Sequence, residues 1–198
     1  SPQAAAIKSD GMTLSAILDS PVETPRAWAV FAHCFTCTKE FLAPARVSRG
    51  LAERGIAVLR FDFTGLGKSC GEFAETGFST NIKDIEAAAE FLRDEYEPPS
   101  LLIGHSLGGA ASLAAASRIS EISAVCTIAA PSRPGGLERL IGPVAVEIRQ
   151  SGSAEILVAG RPFQIGEKFL DDMHAFALPD IIGNLEAALL VLHSPVDE

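Results

Sequence analysis

Ten residues at positions 101–110, LLIGHSLGGA, decide the fold. Their first half is an apolar run typical of a strand covered on both faces, and small helix-forming residues follow it. Gly104, Ser106 and Gly108 form a G-x-S-x-G pattern at the junction. A serine on a sharp strand-to-helix turn excludes side chains two positions away, because they would clash. The pattern predicts a nucleophile elbow with Ser106 as nucleophile; a glycine-rich turn with an idle serine is the alternative.

Short apolar runs alternate with helical patterns on both sides of this stretch, which is typical of βαβ units and a mostly parallel sheet. The run at 12–19 alternates like an exposed edge strand. The sequence therefore predicts an α/β fold, a three-layer α/β/α sandwich around a doubly wound sheet. We expect helices at 79–99 and 107–120, and strands at 12–19, 27–33, 56–63, 100–106, 124–130 and 188–194.

The chain length favours one domain covering residues 1–198. The segment 131–180 carries glycine and proline at intervals and interrupts the core pattern. We expect it to contain a hairpin at 147–158 and a short amphipathic stretch near 166–176. An excursion between two core strands is a usual place for a lid or cap.

The charge and the hydrophobic pattern of the chain limit which partners and which cellular location are expected. The net charge is −9, and Lys and Arg do not gather into a run that could follow a phosphate backbone. Nucleic acid and anionic membranes are therefore not expected partners. The N-terminal residues lack the apolar region of a signal peptide, and no apolar run approaches a membrane span. We expect a soluble, cytoplasmic protein.

The four cysteines are too few and too scattered for a disulfide framework. Cys34 and Cys37 form a C-x-x-C pair, which is open to three interpretations: small residues packed in a tight loop, a redox pair, or half of a zinc site. No second half-site completes four metal ligands, so we expect no metal.

Three stretches resemble the α/β-hydrolase superfamily, and the resemblance extends over nearly the whole chain. They are AHCFTCTKEF at 32–41, LRFDFTGLGKSCGEFAETGFSTN at 59–81 and LLIGHSLGGAA at 101–111. More narrowly, they are similar to the hydrolase half of bacterial fusion proteins that carry a C-terminal OsmC-like, thiol-dependent domain. The resemblance implies Ser106 as nucleophile, the N–H groups of Phe35 and Leu107 as oxyanion hole, and no cofactor. His33-Cys34 stands where most relatives have His-Gly, so this turn lacks the backbone freedom that a glycine would give it.

The acid and the base of the implied triad follow the order Ser, Asp or Glu, then His. Asp197 comes just after the last predicted strand and is the candidate acid. None of the four histidines follows it. His33 is implied to brace the oxyanion loop, His105 to point away from Ser106, and His193 to shape the acid turn.

His174, in the predicted lid, is the one histidine of the chain with freedom to approach Ser106. We nevertheless expect that the base lies outside this chain. The family pattern would add a further helix, an edge strand, a turn with the histidine and a final helix. The chain is therefore expected to be C-terminally incomplete and nearly inert by itself.

The resemblance implies a serine hydrolase of carboxylesterase type that acts on a small ester or thioester. The alternative is a non-catalytic binding or dimerisation module that serves an attached OsmC-like redox domain. If the sheet edge at 188–194 is bare, it is a template for pairing with another chain, so a homodimer is one expected assembly.

Overall fold

A computed structural model describes residues 2–131 and 141–196, apart from the side chains of Met173 and His174. A seven-stranded mixed sheet forms the centre, in the order β1-β2-β4-β3-β5-β6-β9. The hairpin β1–β2 is antiparallel, β2 pairs antiparallel with β4, and all remaining pairs are parallel. The strands are β1 (Pro2–Ser9), β2 (Met12–Asp19), β3 (Ala27–Ala32), β4 (Ile56–Phe61), β5 (Leu101–His105), β6 (Ala124–Ile128) and β9 (Ala188–Leu192).

Six α-helices lie within the described residues: α1 (Leu42–Ala52), α2 (Phe78–Glu95), α3 (Leu107–Ala116), α4 (Ala145–Ser151), α5 (Glu167–Ala175) and α6 (Leu178–Gly183). Along β3, Ala29 and Phe31 contact the cluster that includes Val47 and Leu51 of α1. Val30 and Ala32 belong to the larger cluster on the opposite face, which contains α2 and α3. Helices therefore cover both faces of the sheet, and the predicted three-layer α/β fold is confirmed.

Helix α3 is buried along its whole length, as its small side chains predict. Eight of its ten residues are alanine, glycine or serine, so its backbone lies close to the sheet. This closeness positions the residue that precedes the helix.

Several elements were not predicted, among them β1, α1 and α6. Strand β1 is rich in alanine, a residue with low β propensity, and gains its place by pairing with β2 across the turn Asp10-Gly11, where both φ angles are positive. Helix α1 contains Pro44, which is tolerated because it lies in the first turn, where no intrahelical N–H bond is lost.

The predicted hairpin at 147–158 is wrong. Residues Ala145–Ser151 form α4, which ends at Gly152 in the left-handed conformation. The hairpin is instead β7 (Ser153–Val158) and β8 (Arg161–Gly166), joined by Ala159-Gly160, both with positive φ. Part of the predicted lid, residues 132–140, lies outside the described residues.

The segment containing β7, β8 and α5 is joined to the rest of the chain by backbone packing and hydrogen bonds as well as by aromatic contacts. Gly166 lies against the carbonyl of Ala74, in a short 3₁₀ helix at Phe73–Glu75. The Asp172 carboxylate accepts hydrogen bonds from the backbone N–H and the hydroxyl of Ser79 at 2.7 and 2.6 Å. Asp172 therefore satisfies a free donor in the first turn of α2. No helix in the described parts of the chain is both long and apolar enough to cross a bilayer.

Candidate active site

Ser106 is the single residue between β5 and α3, at the point where the chain turns from strand to helix. Its backbone adopts φ +52° and ψ −122°, a conformation that non-glycine residues rarely occupy. The turn is held by hydrogen bonds from Ser106 N–H to the carbonyl of Ile128 at 2.8 Å and from Gly109 N–H to the carbonyl of Ser106 at 2.9 Å. A strained serine at a strand-helix junction is the geometry expected of a nucleophile elbow.

The two glycines of the motif are required by close contacts of the backbone. A Cβ on Gly104 would overlap the carbonyl oxygen of Gly108, and a Cβ on Gly108 would overlap the carbonyl oxygens of Ala32 and His33. Helix α3 therefore rests directly on the end of β3. This contact brings the loop after β3 beside the first turn of α3.

Phe35 and Leu107 line the same narrow cavity. Leu107 is the first residue of α3, so its N–H is one of the donors that have no carbonyl partner within the helix. Most of the other side chains around the cavity are aromatic or apolar, with Asn81 as a polar wall; they are His33, Cys34, Phe63, Leu66, Phe73, Asn81 and Phe169. The structure thus brings together the two residues that the sequence named as oxyanion donors.

His33 lies at the start of this loop, and its hydrogen bonds define the tautomer of its ring. Its Nδ1 lies 2.8 Å from the carbonyl of Cys34, and its Nε2 accepts the N–H of Phe63 at 3.3 Å. Nε2 must be unprotonated to accept this bond, so Nδ1 is the donor. Burial lowers the pKa of His33 to about 4, against the smaller opposing effects of the Cys34 carbonyl and Asp62. The His33 ring is therefore neutral, and both of its nitrogens are engaged in hydrogen bonds.

Cys34 and Cys37 are joined by a disulfide, with 5.3 Å between their Cα atoms. Inside the ring that this bond closes, Cys37 N–H donates to the carbonyl of Cys34 at 3.1 Å. Thr36 has φ +62°, whereas Cys34 is not among the described non-glycine residues with positive φ. The strain of this turn is therefore at Thr36 and not at the position where relatives carry glycine.

Residues 29–195 match the model of the alpha/beta hydrolase family. The chain belongs to this family. It is also 42% identical to the esterase domain of a Rhodothermus marinus protein, over 98% of this chain and 77% of that one, with a TM-score of 0.77.

Two further solved structures share the hydrolase fold. XC6422 from Xanthomonas campestris, described as a serine hydrolase without a lid, is 27% identical over 66% of this chain and 62% of that one, with a TM-score of 0.60. Est1E from Butyrivibrio proteoclasticus, solved with ferulic acid, is 23% identical over 96% and 78%, with a TM-score of 0.81. No curated protein matches the chain. The family and its esterase neighbours support a hydrolase of esterase type at the family level.

The hydrolase holds the loop after β3 to the loop after β4 through a buried ion pair that the sequence analysis missed. Lys39 Nζ lies 2.6 Å from Asp62 Oδ2, and the two side chains are 2% and 1% exposed. Asp62 also accepts the backbone N–H of Lys39 at 2.7 Å and that of Lys68 at 2.9 Å. Gly67 lies against the same carboxylate, where a Cβ would overlap it. The signal that could have found the pair is an acidic residue directly after a buried strand, followed by closely spaced glycines.

Other buried charges support the same loops of the hydrolase. Arg60 donates to the carbonyl of Lys39 at 2.7 Å and pairs with Asp19 at 2.6 Å. Asp84 accepts the N–H of Thr64 at 2.8 Å and the hydroxyl of Ser9 at 2.7 Å. Burial raises the pKa of the Asp84 carboxyl, although these hydrogen bonds act in the opposite direction.

Two of the remaining predicted site residues are not described, and the other two lie at the ends of strands. Asp197 lies outside the described residues, as does the side chain of His174. His105 is the last residue of β5, and His193 directly follows β9. Within residues 2–131 and 141–196, no group of three or more His, Cys, Asp or Glu side chains is placed to hold a metal ion.

Proposed function

We propose that this α/β hydrolase is a serine carboxylesterase that acts on small esters or thioesters, with Ser106 as its nucleophile. The observation that carries the proposal is the strained φ of Ser106 at the start of α3. This turn places the serine beside the first-turn N–H of Leu107 and the loop that contains Phe35. The 42% identity to an esterase domain supports the same chemistry.

In the proposed reaction, Ser106 Oγ attacks the carbonyl carbon of the ester and forms an acyl-enzyme, which water then hydrolyses. The N–H groups of Phe35 and Leu107 stabilise the oxyanion of each tetrahedral intermediate. Asp197 orients a histidine that takes the proton of Ser106. His33 is unsuited to be that base, because both ring nitrogens are already engaged.

The aromatic side chains around Phe35 favour an apolar acyl group over a charged one. Phe35 contacts the rings of Phe73 and Phe169 with centroids 5.7 and 5.4 Å apart, and Phe163 of β8 continues the cluster at 5.7 Å from Phe73. A charged acyl group would lose its hydration against these rings without gaining a partner. Short aliphatic or aromatic acyl esters are therefore the expected substrates.

The test is the intact mass of the protein after incubation with a fluorophosphonate, together with the rate of p-nitrophenyl ester hydrolysis. We expect one adduct on Ser106 of the natural protein and none on Ser106→Ala. Ser117→Ala, at the other end of α3, is the matched control and should be labelled like the wild type.

Two outcomes would contradict the proposal. Unchanged labelling and hydrolysis in Ser106→Ala would exclude Ser106 as the nucleophile. A natural protein that is folded but neither labelled nor active would favour a non-catalytic module instead.

A further inference from the structure

We propose that Cys34 and Cys37 form a reversible thiol–disulfide site that sets the position of the Phe35 N–H and so controls the esterase. This inference rests on the proposed function, because Phe35 matters only as an oxyanion donor. The disulfide joins two residues on either side of Phe35 and Thr36. The proposed donor therefore lies inside the ring that the disulfide closes.

The ring holds a backbone conformation that its sequence does not favour. Thr36 is β-branched and has φ +62°, in a region where such residues are genuine outliers. Strained residues persist only where the surrounding structure over-determines them. The disulfide and the hydrogen bond from Cys37 N–H to Cys34 carbonyl are the contacts that span Thr36. Once the disulfide opens, Thr36 can relax to negative φ, and the peptide between Cys34 and Phe35 can then turn if the hydrogen bond from His33 Nδ1 to its carbonyl breaks.

The two ends of the loop are fixed independently of the disulfide. Before it, His33 accepts the N–H of Phe63 at its Nε2 atom. After it, Lys39 is held to Asp62 by both its backbone N–H and its ammonium group. Reduction should therefore loosen residues 34–37 while the sheet and the elbow stay folded.

The disulfide is open to exchange because both cysteines are half-buried and not enclosed in the core. A thiolate of a small dithiol attacks one sulfur, the Cys34–Cys37 bond breaks, and a mixed disulfide forms while the other cysteine leaves as a thiolate. The second thiol of the dithiol then displaces the remaining cysteine. The dithiol loses two electrons and two protons and becomes a cyclic disulfide, and the two cysteines become thiols. A small disulfide such as oxidised glutathione reverses the reaction.

The experiment compares the natural protein after equilibration with oxidised glutathione and with dithiothreitol. Alkylation and peptide mapping report the state of Cys34 and Cys37, and amide hydrogen exchange reports the loop. We expect a Cys34–Cys37 cross-link in the first buffer and two alkylated thiols in the second. Exchange of the peptide containing residues 34–37 should rise roughly tenfold or more on reduction, whereas that of residues 101–110 should not change.

Activity is the second readout. Loss of one oxyanion donor lowers kcat by about a hundredfold or more, so displacement of Phe35 should lower ester hydrolysis by roughly tenfold to a hundredfold on reduction. Cys34→Ser/Cys37→Ser should behave like the reduced protein in both buffers. Cys70→Ser, which removes an exposed free cysteine outside the ring, should keep the full redox response.

Two results would overturn the redox proposal: free thiols at Cys34 and Cys37 in oxidised glutathione, or equal exchange and equal activity in both buffers. Failure of the proposed function looks different. If Ser106→Ala leaves hydrolysis unchanged, Ser106 is not the nucleophile, yet the exchange measurement still decides whether the disulfide controls the loop. Should the double variant not fold, the two states of the natural protein give the same comparison.

Discussion

Gly108 has no space for a side chain, because its Cα faces the carbonyl oxygens of Ala32 and His33. We expect Gly108→Ala to lower the free energy of unfolding by about 2–4 kcal/mol, since backbone and not a flexible side chain must move. It should also reduce fluorophosphonate labelling of whatever fraction stays folded, because α3 carries Leu107. Urea denaturation gives the first quantity and intact mass the second.

The matched control is Gly142→Ala. A Cβ at Gly142 meets no heavy atom within 4 Å, so this substitution should change the stability by no more than about 1 kcal/mol. An unfolding midpoint for Gly108→Ala equal to that of Gly142→Ala would show that α3 does not press on β3 as described.

Individual residues could be placed from the sequence where the spacing of a motif reflects a steric requirement. Gly104, Ser106 and Gly108 could be placed because only one kind of turn needs that pattern. The turn at Cys34 could not be resolved in the same way. Positive φ at Thr36 runs against the preference of a β-branched residue, and it depends on contacts that spacing does not reveal.

The loops after β3 and β4 behave as one element because Lys39 and Asp62 join them. Removing one partner of a buried ion pair leaves an uncompensated charge, so Lys39→Met should cost about 3–5 kcal/mol of stability. Combining it with Asp62→Asn should recover part of that loss, because no uncompensated charge then stays buried, although the single amide oxygen can accept only one of the two backbone N–H groups. A double-mutant cycle by urea denaturation measures the coupling.

Lys68→Met serves as the control for charge removal alone. Lys68 pairs with Glu40 at 3.0 Å on the surface, where the two side chains are 70% and 53% exposed. Such a pair contributes about 1 kcal/mol or less. If the double variant loses as much stability as the two single variants added together, Lys39 and Asp62 are not coupled.

The buried strands of the parallel core and helices α2 and α3 could be predicted, because their hydrophobic patterns are continuous or periodic. Elements that are stabilised mainly by their neighbours could not be predicted in this way. Strand β1 depends on its pairing with β2, and the boundary between α4 and β7 is set by the left-handed Gly152. The ion pair of Lys39 and Asp62 joins segments 23 residues apart, a distance over which local patterns carry no information.

The whole molecule should lose stability in mild acid because of His33. Its pKa is about 4 in the folded state and 6.5 ordinarily, so below pH 6.5 the unfolded chain binds a proton that the folded protein does not. The contribution of neutral His33 to the free energy of unfolding is fully present above pH 6.5, and it is lost as the pH falls towards 4. Each pH unit in this window costs about 1.4 kcal/mol, or about 3 kcal/mol in total.

The measurement is urea denaturation between pH 7 and pH 4 for the wild type and His33→Gln. The difference in unfolding free energy between the two proteins should shrink by about 3 kcal/mol over this range. Phe63→Leu, which removes the ring packed 4.8 Å from His33 but no titrating group, should keep the wild-type dependence on pH. A constant difference between wild type and His33→Gln would mean that His33 is not held neutral.

Strand β9 gives the molecule an uneven surface. It forms the edge of the described sheet, and Leu189, Leu190, Val191 and Leu192 are 39%, 56%, 57% and 47% exposed. The chain as a whole carries a net charge of −9. At an oil–water or air–water interface, an acidic protein with one apolar edge adsorbs in a preferred orientation, with that edge towards the apolar phase. Acidification removes the repulsion between adsorbed molecules, so the density of the interfacial film should rise as the carboxylates become protonated.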